Sequence, residues 1–280
     1  MALINTGLTN AGVTTHYRFF YDEFFGGAGG VEPARTNAVI QACEDDFTLL
    51  SNWFGGTVNV AGLAVDVTTQ AANTCGAAGR PASNGGCWRG STVQLIAQGP
   101  AYANDPVYLR YLMIAEVSEI FMMKQNAGWF QGKDEGSKGE GLSRFLSSQF
   151  LAQNGYLGLG IDSGFAVASL WLNSSREDFV NNDPDDNRYD AVNGCTTLFI
   201  YYLFHQLGFS INQIVAAGAP TLAGVYRNLT GDSSDPFSRF KQLLDLKFPS
   251  QTGNVLPGPN FDDPWPIDDS SFTEADAKIL

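Results

Sequence analysis

Basic residues and histidine are scarce in this chain of 280 residues, which has 16 lysines and arginines and two histidines against 29 acidic residues. The resulting net charge of -13, with no cluster of lysine or arginine, repels phosphate backbones and anionic lipids. No apolar run reaches the ~20 residues that a membrane span requires. We therefore expect no nucleic acid partner and no membrane span, and a ligand that is neutral or cationic.

Cysteine is also rare, with four residues in the chain. Cys75 and Cys87 enclose a segment rich in glycine, alanine and serine, and a disulfide between them would stabilise the fold by about 3 kcal/mol. The alternative is a flexible loop with two free thiols. Cys43 and Cys195 fall in apolar helical patterns and are expected to be buried thiols. None of the four has the close spacing of a structural zinc site.

The first residues, 1–12, lack the basic and apolar segments of a secretory signal. The sequence is therefore either cytosolic or a mature form written without its leader. A Cys75–Cys87 disulfide would favour an extracellular location, because disulfides persist in oxidising compartments. We expect an extracellular protein, with a cytoplasmic location as the alternative.

Strand patterns come early in the chain and helical patterns come late. Strands are expected at 15–21, 63–67 and 92–97. Helices are expected at 36–54, 107–125, 140–153, 164–180, 196–207, 211–217, 221–228 and 237–246. This order predicts an α+β fold, in which a small mixed sheet with helices is followed by a mainly helical half.

The domain organisation follows from the same order of patterns. Residues 1–130 are expected to form an upper subdomain of sheet and helices, and residues 131–250 a helical lower subdomain. Residues 251–280 are rich in proline, glycine and aspartate, which predicts an acidic tail.

The helix predicted at 107–125 contains the sequence Ala115-Glu116-Val117-Ser118-Glu119. In zinc peptidases of the HExxH type, two histidines on one helix face bind the metal, and the glutamate after the first activates the metal-bound water. Positions 115 and 119 share that face, and Glu116 stands where the base would be. Glu140, in the next predicted helix, has the separation and the carboxylate of a third ligand.

With these residues the sequence resembles the zincin metallopeptidases, in particular the glutamate-ligand (gluzincin) branch. The resemblance extends from Arg35 to Pro249, and the segment 193–208 is similar to the helical lower subdomain of secreted bacterial zincins. Such a relative implies a cleft between a sheet-bearing upper half and a helical lower half, where an extended peptide lies along an edge strand. The strand at 92–97 is expected to be that edge.

The sequence departs from this family at the metal ligands. The two zinc-binding histidines are replaced by Ala115 and Glu119, so only Glu140 remains in place. Ala115 has no donor atom, and a site of carboxylates suits calcium or another hard divalent cation better than zinc. We expect zinc peptidase activity to be lost. If activity survives, Glu116 is the candidate base and Glu119 and Glu140 are the candidate metal ligands.

Each glutamate also has a structural interpretation. Glu116 and Glu119 could lie on a solvated helix face, although the apolar residues around them favour a central helix. Glu140 could close a capping box with Ser137 at the start of its helix. His205 lies late in a predicted helix, and we expect the helix end to favour its protonated form.

An acidic segment supplies the last candidate site. Asp183 and Asp185 match the first half of a helix-loop-helix calcium loop, and Asp190 follows them. However, Arg188 occupies the glycine position of that motif and Gly194 the position of its bidentate glutamate. The alternatives are a looser calcium site and a hydrated loop.

Three functions from different classes are consistent with these patterns. The first is a catalytically inactive, zincin-like module that binds a peptide or protein in its cleft or associates with itself. The second is a metal-dependent peptide hydrolase whose metal site has been rebuilt from carboxylates. The third is a structural subunit outside the cell.

Overall fold

A computed structural model describes residues 8–22, 32–68, 85–96, 106–131, 134–155, 168–172, 174–184 and 190–247. The strands are β1 (Leu8–Val13), β2 (Tyr17–Asp22), β3 (Leu63–Thr68), β4 (Gly85–Arg89) and β5 (Thr92–Ile96). The α-helices are α1 (Glu32–Trp53), α2 (Pro106–Gln125), α3 (Gly136–Gln153), α4 (Ala168–Leu172), α5 (Asp190–Tyr201), α6 (Ile211–Ala216), α7 (Leu222–Thr230) and α8 (Pro236–Lys247). A π-helical turn, Tyr202–Gln206, continues α5. The predicted α+β class is confirmed.

The chain divides into two compact units. Unit one contains the described residues between 8 and 52 and between 56 and 121. Unit two contains residues 53–55 and the described residues from 122 to 247. The acidic tail predicted at 251–280 lies outside the described residues.

Unit one is built on a mixed sheet of five strands in the order β1-β2-β3-β5-β4. The three central strands are parallel, and β1 and β4 pair with their neighbours in antiparallel fashion. Phe19, Val65 and Val93 lie side by side on the central strands, and all three are fully buried. This row of β-branched and aromatic side chains joins the central strands to the core of the unit.

The predicted strand at 92–97 is confirmed as β5, but its predicted place at the sheet edge is wrong. Strand β5 lies between β3 and β4, and β4 is at the edge of the described sheet. The sequence of β4, Gly-Gly-Cys-Trp-Arg, has no alternating apolar pattern, so this strand was not predicted.

Helix α1 confirms the helix predicted at 36–54, although it begins earlier, at Glu32. Val39, Cys43 and Leu50 follow the three-four spacing of one helix face, and all are fully buried. A largely buried ion pair also holds this helix in unit one. Arg110 of α2 donates two hydrogen bonds to Asp46 of α1, at 2.8 and 2.6 Å.

In unit two, α3 and α5 run side by side with their chains in the same direction. A Cβ atom at Gly141 of α3 would lie 2.6 Å from Oγ1 of Thr196, so glycine permits this close approach. The hydroxyl of Thr196 donates a hydrogen bond to the carbonyl of Ser137 at 2.8 Å. Further along the pair, the ring of Phe145 contacts that of Tyr201, with centroids 4.9 Å apart.

The helix predicted at 164–180 is largely wrong over the described residues. Helix α4 covers five residues, Ala168–Leu172, and no helix is present at 174–180. Arg176 adopts a positive φ of 54° and donates a hydrogen bond from Nε to the carbonyl of Leu172, which ends the helix. By contrast, the helix predicted at 211–217 is confirmed as α6, which begins with a capping box of Ser210 and Gln213. None of the described helices is long and apolar enough to cross a membrane.

Candidate functional site

Two of the predicted site residues, Glu116 and Glu119, lie in unit one between helix α2 and edge strand β4. The indole nitrogen of Trp88 in β4 donates a hydrogen bond to Oε2 of Glu119 at 2.8 Å. Glu116 approaches Gly86 so closely that a Cβ atom at position 86 would be 2.5 Å from its Oε1. Because residues two apart in a strand share a face, Gly86 and Trp88 both face α2.

The interpretation of this region as a solvated helix face is wrong. Glu116 is 8% exposed and Glu119 is 5% exposed. Buried carboxylates need hydrogen-bond donors, and the Trp88 indole is one such donor. Ala115, at the position that the first histidine takes in the HExxH pattern, contributes only a backbone carbonyl, which accepts a hydrogen bond from the Ser118 hydroxyl at 2.6 Å. The acidic residues of α2 therefore support the strand at the sheet edge.

The third predicted residue, Glu140, lies in unit two on α3, near Glu135. One carboxylate oxygen of Glu140 is within 4.8 Å of one from Glu135. Arg144 donates a hydrogen bond from Nε to Oε1 of Glu140 at 2.8 Å, one helical turn away. The capping-box interpretation of Glu140 is wrong, because α3 begins at Gly136 and Ser137 already lies inside the helix.

Glu135, which precedes α3 in a segment rich in glycine, is a further candidate that the sequence patterns did not indicate. This residue is buried, and a Cβ atom at Gly139 would collide with its side chain. Glycine at 139 therefore lets Glu135 lie along the first turn of the helix. A second carboxylate close to Glu140 in the sequence was the signal that would have drawn attention to it. Together the two glutamates offer oxygen atoms of the kind that hard divalent cations prefer.

Asp183, a candidate calcium ligand, accepts hydrogen bonds from the first turn of α3. Its Oδ1 accepts hydrogen bonds from the Ser137 hydroxyl and the Lys138 backbone, each at 3.0 Å. Its Oδ2 pairs with Nζ of Lys138 at 2.5 Å, and the Lys138 side chain is 1% exposed. A helix N terminus and a buried ammonium thus already compensate the charge of this carboxylate.

The remaining calcium candidates are not described by the structure. Asp185 lies outside the described residues, and of Asp190 only the backbone, at the start of α5, is described. The looser calcium site therefore stays a prediction.

His205 lies in the π-helical turn of unit two, next to aromatic rings. Its ring stacks on that of Tyr201, with centroids 5.7 Å apart. Burial lowers the pKa of His205, so the expectation that the helix end holds it protonated is wrong. Its Nε2 is buried and has no hydrogen-bond partner in the described part of the chain. A neutral imidazole follows from this environment.

Cys43 and Cys195 are not activated nucleophiles. Cys43 and Cys195 are free and buried, as predicted. Burial raises the pKa of Cys43 to about 11 and raises the pKa of Cys195 well above its usual value. Both side chains are therefore thiols at neutral pH. Cys75 lies outside the described residues, so the disulfide between Cys75 and Cys87 stays a prediction.

A histidine–carboxylate pair in unit one was also missed. Nδ1 of His16 lies 2.6 Å from Oε2 of Glu44, and the backbone N–H of His16 donates to Oε1 of the same carboxylate at 3.0 Å. The imidazole stacks on Phe47, with ring centroids 3.6 Å apart. The partners are 28 residues apart in sequence, so no local pattern could have indicated the pair. It holds the turn before β2 against α1.

Comparisons with known proteins do not identify a family. No protein-family model matches the chain, and no curated protein or solved structure matches it either.

Proposed function

We propose that this protein is a zincin-like module that binds an extended, basic peptide along β4 without hydrolysing it. The support of β4 by the buried residues Glu116 and Glu119 carries this proposal. A strand at a sheet edge presents a row of backbone N–H and C=O groups, with which a peptide can pair as an added strand.

The charge of the protein favours a basic peptide over an acidic one. The chain has a net charge of -13, and two of its carboxylates lie against β4 in unit one. A peptide that carries lysine or arginine would be attracted over long range and would associate faster. A strand that is already held in place also loses less conformational entropy on binding.

The environment of the motif residues favours binding over hydrolysis. Ala115 offers no side-chain donor to a metal, and Glu119 accepts a hydrogen bond from the Trp88 indole. Glu116 is packed against the backbone of β4 at Gly86, whereas a general base must reach the water molecule that it activates. In this proposal the helix that supplies catalytic groups in the peptidases has become a support for the binding strand.

Fluorescence anisotropy with the full chain tests the proposed function. The probe is a fluorescein-labelled octapeptide of alternating lysine and valine. We expect saturable binding that is insensitive to EDTA, with the peptide recovered intact. A matched peptide with N-methyl groups on alternate backbone amides should not bind, because it cannot complete the strand pairing. Equal binding of the two peptides, or no binding of either, would rule out the proposal.

A metal-dependent peptide hydrolase is the second candidate function, and the closeness of Glu135 and Glu140 in unit two favours it. These two carboxylates would bind a hard cation such as calcium or manganese. Glu116 as base and Glu119 as a further ligand stay predictions from the sequence pattern. Stoichiometric metal in the purified protein, together with casein hydrolysis that EDTA and E116Q both abolish, would establish this function in place of the first.

A further inference from the structure

We infer that Glu119 is a positioning residue for the peptide, because it holds Trp88 and thereby fixes the orientation of edge strand β4. Glu119 would act through Trp88 and the strand without touching the peptide. This inference rests on the proposed function, since it concerns the strand at which the peptide is proposed to bind.

The contact between the two residues is of a strong type. A carboxylate accepts the indole N–H at 2.8 Å, and Glu119 is 5% exposed. Hydrogen bonds to charged groups are about twice as strong as those between neutral groups, and burial reduces competition from water. The pair therefore connects the middle of α2 to β4 through a defined geometry.

Edge strand β4 depends on this contact more than a central strand would. Its partner in the described sheet is β5, where Trp88 lies opposite the fully buried Val93. At the edge of the described sheet, side-chain contacts to the faces of the strand add to this ladder in fixing its orientation. On the α2 face, Glu119 holds Trp88 and Glu116 packs against Gly86. Release of Trp88 would leave the backbone groups of β4 poorly oriented for an added strand.

The choice of substitution separates the hydrogen bond from the charge. Glu119→Gln removes the charge but keeps a side-chain oxygen that can accept from the indole. Glu119→Ala removes the acceptor, and Trp88→Phe removes the donor from the other partner. Each variant is first checked by circular dichroism and by its unfolding midpoint. The indole N–H resonance of Trp88, assigned by its absence from W88F, reports the hydrogen bond directly.

The test is the affinity of the same lysine–valine octapeptide for these variants. E119A and W88F should each weaken binding by about tenfold or more, and the double variant should be no weaker than the worse single variant. E119Q should bind within a few-fold of the wild type and keep the Trp88 resonance near its original position.

The outcomes distinguish this inference from the proposed function. If the wild type binds and folded E119A and W88F bind equally well, Glu119 is not a positioning residue, although the proposed function stands. If E119Q is as weak as E119A while its Trp88 resonance is unchanged, charge rather than position accounts for the effect and the inference is overturned. If the wild type does not bind the peptide, the proposed function itself fails. Should E119A not fold, W88F and E119Q decide the matter on the same criteria.

Discussion

Glu116 lies so close to Gly86 that an added Cβ would be 2.5 Å from its carboxylate oxygen and 2.6 Å from its Cγ. Both residues belong to unit one, where α2 supports the edge of the sheet. Any residue larger than glycine at position 86 must displace a buried acidic side chain.

The substitution G86A should therefore destabilise the protein by about 1–3 kcal/mol, the usual cost of overpacking. Removal of the opposing side chain in E116A should relieve the clash, so the double variant should lose less than the sum of the two single losses. Urea unfolding measures all three variants. The exposed Ser91, next to β5, provides a control, because S91A should change stability by less than about 0.5 kcal/mol. Additive losses in the double variant would contradict the close contact.

Stability should fall in mildly acidic solution because of His205. Burial lowers its pKa below the usual 6.5, so the unfolded chain takes up a proton at a pH where the folded protein does not. Protonation then favours the unfolded state, and stability is lost as the pH falls below about 6.5. Replacement of His205 by phenylalanine should remove this part of the pH dependence.

The measurement is the difference in unfolding free energy between H205F and the wild type, followed from about pH 7.5 to pH 5. The difference should move in favour of the variant as the pH falls. A difference that stays constant, or that moves in favour of the wild type, would show that His205 is not held neutral.

Removal of one partner from the ion pair of Lys138 and Asp183 should strongly destabilise the protein. The two side chains are 1% and 14% exposed, so K138M leaves a largely buried carboxylate without its cation. We expect a loss of about 3–5 kcal/mol. The pair of Lys241 and Asp245 provides a control, because those side chains are 36% and 41% exposed and Asp245 also pairs with Arg176. K241M should cost about 0–1 kcal/mol, and similar losses for the two lysine variants would contradict the assignment.

Thiol counting tests the predicted disulfide and, with it, the predicted extracellular location. In the native protein, Cys43 and Cys195 should resist alkylation, because both are buried and their pKa values are raised. In denaturant without reductant, these two thiols should react. After reduction of the disulfide, the thiols of Cys75 and Cys87 should react as well. Mass spectrometry of the alkylated chain gives the numbers. Four reactive thiols before reduction would show that the loop is not bridged.

Much of the fold could be predicted from local patterns. In α1 and α2, apolar residues recur along the sequence at the spacing of a buried helix face. Such a pattern indicates a helix without knowledge of the elements that pack against it. The Ser210–Gln213 capping box is also a local signal, because all its partners lie within one helical turn. The α+β class followed from the order of these elements.

The edge of the sheet could not be predicted in this way. Strand β4 contains two glycines, a cysteine, a tryptophan and an arginine, which do not form an alternating hydrophobic pattern. The strand is held by its pairing with β5 and by its contacts with α2. The order of strands depends on long-range pairing, so β5 was wrongly expected at the edge.

The candidate site was predicted in part. Glu116 and Glu119 were identified from their spacing, but their contacts with Gly86 and Trp88 join segments about thirty residues apart. The same limit applies to the pair of His16 and Glu44. The rings that contact His205 are those of Tyr201 and Phe204 in the same helical segment. Its partial burial could not be read from its place near a helix end, because the burial of a side chain depends on how the elements pack together.

Hydrogen–deuterium exchange of the β4 amides, with and without the lysine–valine octapeptide, tests the central claim most directly. If the peptide adds a strand to the sheet, exchange in the peptic fragments that contain Gly85–Arg89 should slow on binding, and the N-methylated peptide should have no effect. Exchange in β4 that is unchanged at saturating peptide would contradict the account.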